Sequence, residues 1–120
     1  MAVCKVIIDY KFDSINDYIN KCRTNVYVAN KTKQKETMLA ALAFSKIPPI
    51  KVFPIELVFY WHIKNKQCDL DGRLPKNIID GLVRSKRIPD DNVKYIQKIT
   101  HKYIADTKDY VEVEIRSIEW

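Results

Sequence analysis

Two periods of apolar and polar residues alternate along this chain, and each change of period marks an element. Val3 to Asp9 carries β-branched Val3, Val6, Ile7 and Ile8 at near-alternating positions, which predicts a first strand. Ser14 followed by Asp17 resembles a capping box, so a helix is expected from Ile15 to Cys22, burying Ile15, Tyr18 and Ile19. Arg23 to Asn25 breaks it. A longer helix is expected from Tyr27 to Lys46, with Met38, Leu39, Leu42 and Ala43 on its apolar side and a basic middle from Lys31 to Lys35. Pro48 and Pro49 stop it, because a residue that precedes proline is pushed out of the helical region.

The strongest strand signal is Ile55 to Ile63, nearly apolar throughout and therefore expected in the middle of a sheet. Pro75 suits the first position of a helix reaching Lys86, with Ile78, Ile79, Leu82 and Val83 turned inward. A third strand is expected over Val93 to Ala105 and a fourth over Tyr110 to Ile118, joined by a turn at Asp106 to Asp109. These elements predict an α+β fold, a small mixed sheet of about four strands with a helical layer.

Composition narrows the class. A chain of 120 residues is expected to be a single domain, 1–120, with enough volume for a core without disulfides. No run of eighteen apolar residues predicts a membrane span, and Met1 to Val6 lacks a signal-peptide core, so a cytoplasmic protein with no membrane partner is expected. Cys4, Cys22 and Cys68 stand far apart with no C-x-x-C, which favours reduced thiols over a zinc site. The formal net charge of +6 suits a polyanionic partner.

Against that charge, two pairs of carboxylates stand out: Asp69/Asp71 and Asp90/Asp91, on either side of the third helix. In extended chain Asp69 and Asp71 share one side, roughly 7 Å apart at the backbone, and can converge on one cation. Magnesium takes oxygen ligands and keeps several waters, so two or three carboxylates suffice, with Asp90 or Asp91 completing the set if the helix folds back. The plainer alternatives are a loop beside Gly72 for the first pair and an Asx turn after Pro89 for the second. Lys76 falls near a helix start, where the macrodipole disfavours a cation. It either pairs with Asp80 at i,i+4 or sits there to meet a phosphate. The basic residues Arg73, Arg84, Lys86, Arg87, Lys94, Lys98 and Lys102 are candidates for phosphate contact. In the third strand, Lys94, Lys98 and Lys102 are expected on one face with Ile96, as a phosphate-tracking surface or as the protected face of an edge strand. His62 and His101 are expected to be structural or surface residues, and Phe59 and Trp61 core.

The order Asp69-Leu70-Asp71-Gly72, then Lys76, then Ile78-Ile79-Asp80-Gly81-Leu82, then Ile88-Pro89-Asp90-Asp91 resembles the RusA-type Holliday junction resolvases, common in phages and prophages. The resemblance covers about Ile55 to Ile118. Gly72 stands where the family usually has asparagine, and the interval to Lys76 is about one residue longer. The resemblance implies a RusA-like fold and a homodimeric, magnesium-dependent endodeoxyribonuclease, with manganese as a substitute ion, no small-molecule cofactor, and a setting in a bacterial host cell. Such an enzyme nicks four-way DNA junctions symmetrically in recombination and repair. Asp69, Asp71 and Asp91 are then the expected metal ligands, with Asp90 as the alternative to Asp91, and Lys76 the residue that neutralises the phosphate. Arg73, Arg84, Lys86, Arg87, Lys94 and Lys98 become the expected DNA contacts. Two other functions fit the same residues: a non-catalytic DNA-binding phage accessory protein, and a nuclease for other branched or flap DNA.

Overall fold

The computed structural model describes residues 2–64 and 73–118. The elements follow in the order β1 (Ala2–Ile8), α1 (Ile15–Thr24), α2 (Val26–Phe44), β2 (Ile55–Ile63), α3 (Lys76–Arg84), β3 (Ile96–Ala105) and β4 (Tyr110–Ser117). The expected mixed α+β architecture is present. One four-stranded sheet has the order β1-β4-β2-β3, with β2 and β3 parallel and the other pairs antiparallel. β2 is interior, as its continuous apolar run requires. None of the helices is long and apolar enough to cross a membrane, among the described residues.

Register separates the two faces of the sheet. Leu57, Phe59 and Trp61 pair with Ile115, Val113 and Val111 of β4, which pair in turn with Cys4, Val6 and Ile8 of β1. All the β2 and β4 members of this set are buried, and α2 and α3 cover them through Ala40, Phe44, Ile78, Ile79 and Leu82. The opposite face bears Glu56, Tyr60 and His62 of β2 with Glu112, Glu114 and Arg116 of β4.

The helices are local products of their termini. At α1 the Ser14 hydroxyl accepts from the Asp17 N–H at 3.2 Å while Asp17 accepts from the Ser14 N–H at 3.0 Å, the reciprocal box expected from sequence. Asn25 caps α2 by accepting from Tyr27 and Val28. At the far end of α3 the Lys86 and Arg87 N–H groups return to the Val83 and Leu82 carbonyls, with Lys86 at φ 61°. That is a Schellman closure with lysine at the position glycine usually fills.

Three expectations about burial need correction. Ile15 and Ile19 are exposed and α1 buries nothing, because it packs along α2 and not on the sheet. On α2 the inward face is Ala29, Glu36, Thr37, Ala40 and Phe44, while Met38 and Leu42 face solvent. The close approach of α3 selects that face: a Cβ at Gly81 would lie 2.5 Å from the Ala40 Cβ and 2.8 Å from the Ala41 nitrogen. In β3, Ile96 does not share a face with Lys98 and Lys102. The register slips between Ile96 and Lys98, so Ile96 pairs with buried Ile55 while Lys98 pairs with Glu56 on the opposite face. β3 also starts later than expected, because Tyr95 and Ile96 donate back to the Asn92 carbonyl and close a turn there.

Candidate functional site at the carboxyl end of strand β2

β2, α3 and β3 form a parallel crossover, so the helix runs opposite to both strands. The chain leaves β2 at Ile63, returns at Arg73, and enters α3 at Lys76. This is the carboxyl end of the parallel pair, where open sheets with crossover helices present their ligand crevices. Asp69, Asp71 and Gly72, with Cys68, lie in residues 65–72, outside the described residues. Arg73 forms an antiparallel bridge with Ser14, which ties the entry of α3 to the start of α1.

Lys76 is the first residue of α3, with Pro75 at the cap, one position earlier than expected. Its side chain is 62% exposed, and its ammonium lies 3.7 Å from the Asp80 carboxylate. The i,i+4 pairing is therefore present, and it leaves the ammonium accessible. A pair this open contributes only about 0.5 kcal/mol, so exchanging Asp80 for a phosphate costs little.

Asp90 and Asp91 sit at the other end of the crossover. They follow α3 and precede the turn whose Tyr95 carbonyl accepts from Ile55, the first residue of β2. The nine residues of α3 put roughly 12 Å of helix between Lys76 and that turn. Asp90 is spent locally: it accepts from the Asp91 N–H at 2.7 Å and from the Asn92 amide at 3.3 Å. The described residues thus do not bring Lys76 and Asp91 together. Among them no group of three carboxylates, histidines or cysteines has the spacing to hold a metal.

The basic candidates separate by their surroundings. Arg87 donates to the Phe44 and Ser45 carbonyls at 3.0 Å each and closes the end of α2. Lys98 lies 3.7 Å from Glu56. Lys94 lies over the Tyr95 ring. Lys86 belongs to the Schellman closure. Arg84 is exposed and has no ionic or hydrogen-bonded partner among the described residues.

Sequence reasoning missed three polar clusters. Glu36 is 1% exposed; its carboxylate accepts from the Asn77 amide and from the Asp13 N–H, both at 2.8 Å. Burial pushes its carboxyl above the usual range, against the pull of those two donors. Its signal in the sequence was a carboxylate four residues before Ala40 and eight before Phe44, on the inward stripe. On the open sheet face Glu114 joins Tyr60 at 2.7 Å and Arg116 at 2.9 Å, and the guanidinium holds its carboxyl below the usual range. Lastly, His62 Nδ1 lies 3.0 Å from Asp106, its ring stacked 4.0 Å from Tyr110. His62 Nε2 and Arg73 Nε have no partner among the described residues, and both side chains line a cavity of about 10 Å³. His101 is half-buried and accepts from the Trp61 indole at 2.9 Å.

No protein-family model matches the chain, and no curated protein matches it.

Proposed function

We propose that this chain is a metal-dependent endonuclease for branched DNA, one that nicks four-way junctions symmetrically as a homodimer. The reading is supported by the ordered series Asp69, Asp71, Lys76, Ile78 to Leu82, Asp90 and Asp91, which resembles the RusA pattern. One structural observation carries it furthest: Lys76 stands exposed at the start of α3, on the carboxyl side of β2, immediately after the segment that holds Asp69 and Asp71. The macrodipole disfavours a cation at a helix start, the open pair with Asp80 offsets that only weakly, and an accessible ammonium is suited to a phosphate.

In this reading Asp69 and Asp71 are the carboxylates for magnesium, which when bound would supply Lewis-acid activation at the phosphodiester. Lys76 exchanges Asp80 for the scissile phosphate and neutralises its charge. The Glu36–Asn77 contact holds the first turn of α3 so that Lys76 starts from a fixed position. A four-way junction is roughly two-fold symmetric, and a C2 dimer presents two equivalent sites to it.

Gly72 and the separation of Asp91 from Lys76 favour a second reading, a DNA-binding protein of the same fold without cleavage. The test is incubation of the protein with a synthetic four-way junction, a flap and a linear duplex, with magnesium, manganese or chelator. Symmetric nicks in the junction that need the metal support the first reading. A junction gel shift with no nick in either metal establishes the second, and preferential cutting of the flap moves the substrate to other branched DNA.

A further inference from the structure

The groove between α2 and α3 joins Arg84, a basic candidate of the sequence, to α2 residues that have had no role so far. It is lined by Asn30, Lys33, Gln34 and Thr37 of α2 with Asp80 and Arg84 of α3, and encloses about 360 Å³. Its floor is shallow because the two helices touch at Gly81 and Ala40. Lys76, Asp80 and Arg84 are spaced i, i+4 and i+8, so they form one row along the α3 rim. That row is roughly 12 Å long. With Lys33 of α2 added to Lys76 and Arg84, three cations face one carboxylate, and that carboxylate is already paired with Lys76. Lys33 and Arg84 have no ionic partner among the described residues. The exposed amides of Asn30 and Gln34 add neutral donors of the kind that position phosphate oxygens.

We infer that this groove carries the phosphate backbone of one DNA strand and leads it from Arg84, past Lys33, to Lys76. A strand places one phosphate every ~3.4 Å along the duplex axis, so the row spans about three nucleotides. The shallow, open floor suits a backbone better than a small anion. The inference deepens the endonuclease reading and rests on it only for the role of Lys76. It also moves the DNA surface from the lysines of β3 to the helical layer, on the opposite side of the sheet from the Lys98–Glu56 pair.

The experiment is fluorescence anisotropy of a labelled four-way junction across a series of salt concentrations, with the wild-type chain, the K33Q/R84Q double variant and K98Q. Both groove residues lie at the surface, and thermal melts confirm that the variants fold. The expected result is at least tenfold weaker binding by K33Q/R84Q, with the slope of log affinity against log salt reduced by about two. K98Q is expected to keep the wild-type affinity and slope. A wild-type slope in K33Q/R84Q overturns the inference, as does a loss in K98Q equal to that in the double variant. Wild-type binding without cleavage, with the double variant still impaired, overturns the endonuclease reading alone and leaves the groove standing. A wild-type chain that binds no DNA overturns both.

Discussion

Glu36 on α2 and Asn77 on α3 are joined by a 2.8 Å hydrogen bond that is buried and lies one residue from Lys76. The other carboxylate oxygen holds the Asp13 N–H, so one side chain fixes two helices and the chain between β1 and α1. Glu36→Ala strands one buried and one half-buried donor and leaves a void, and is expected to cost about 3 kcal/mol. Glu36→Gln keeps the shape, and an Asn77 amide turned over can accept from it, so the loss is expected to stay near 1 kcal/mol. Urea denaturation of both variants checks the ranking; equal losses would mean the hydrogen bonds contribute nothing beyond volume.

The same residue sets a pH dependence. Burial raises the Glu36 carboxyl, so the folded chain holds a proton that the unfolded chain releases. Its contribution is fully present below the unfolded glutamate pKa and is lost as pH rises through the folded value. Glu114 has the opposite sign: Arg116 and Tyr60 lower its carboxyl, so its contribution is present above the unfolded pKa and is lost as pH falls through the folded value. Stability measured from acid to neutral pH is therefore expected to decline less with rising pH in Glu36→Gln than in the wild type. In Glu114→Gln it is expected to decline less on acidification. A wild-type curve in either variant removes the corresponding assignment.

How much of this was legible in the sequence depended on what each residue had to satisfy. Strand positions followed from runs with one buried answer: Ile55 to Ile63 is nearly apolar throughout and became an interior strand. The start of α1 followed from a side chain that bonds its own backbone, at Ser14, whereas the Asn25 cap of α2 was read only as a break between helices. The buried face of α2 was not legible, because Met38, Leu39, Leu42 and Ala43 form as plausible an apolar side as Ala40 and Phe44. The contact with Gly81, 41 positions beyond Ala40, decides between them. The slip between Ile96 and Lys98 was hidden for the same reason, since a bulge is fixed by the partner strand. For the candidate site, the pairing of Lys76 with Asp80 followed from helical spacing alone. The separation of Asp91 from Lys76 did not: it needs the knowledge that β2 and β3 run parallel, which sends α3 back from the carboxyl end of β2 toward its amino end.

The contact at Gly81 gives a sharper test of that packing. Alanine is the better helix former by roughly 1 kcal/mol. Here its methyl would meet the Ala40 Cβ at 2.5 Å, and also two backbone atoms, the Ala41 nitrogen at 2.8 Å and the Thr37 oxygen at 2.9 Å. Backbone cannot swing aside as a flexible side chain can, so Gly81→Ala is expected to destabilise by about 1–3 kcal/mol despite its propensity. A melting temperature at or above the wild-type value would show that α2 and α3 do not touch there.

Catalysis and binding separate in the variant Asp71→Asn. If Asp71 is a metal ligand, the amide keeps the size of the side chain but loses the charge that magnesium needs. Metal-dependent nicking of a four-way junction is expected to disappear, while junction affinity in chelator stays within about twofold because the phosphate contacts are elsewhere. Lys76→Gln is expected to slow nicking and also to lower the salt dependence of binding by about one phosphate contact. Wild-type nicking by Asp71→Asn would remove the metal assignment.

Lys86 offers a test in which stability and binding move in opposite directions. It holds φ 61° at the end of α3, where its N–H and that of Arg87 close on the Val83 and Leu82 carbonyls. A residue with a Cβ is strained by about 1 kcal/mol in that left-handed conformation, and glycine is not. Lys86→Gly is therefore expected to stabilise the fold by about 0.5–1 kcal/mol, read as a rise in the urea midpoint at unchanged slope. Lysine at a position that favours glycine needs a reason outside the fold, and the candidate is contact with a phosphate. If that is the reason, the stabilised variant binds a four-way junction more weakly than wild type, with a salt slope lower by about one. Higher stability with unchanged affinity and slope would remove Lys86 from the DNA surface while leaving the helix closure as described.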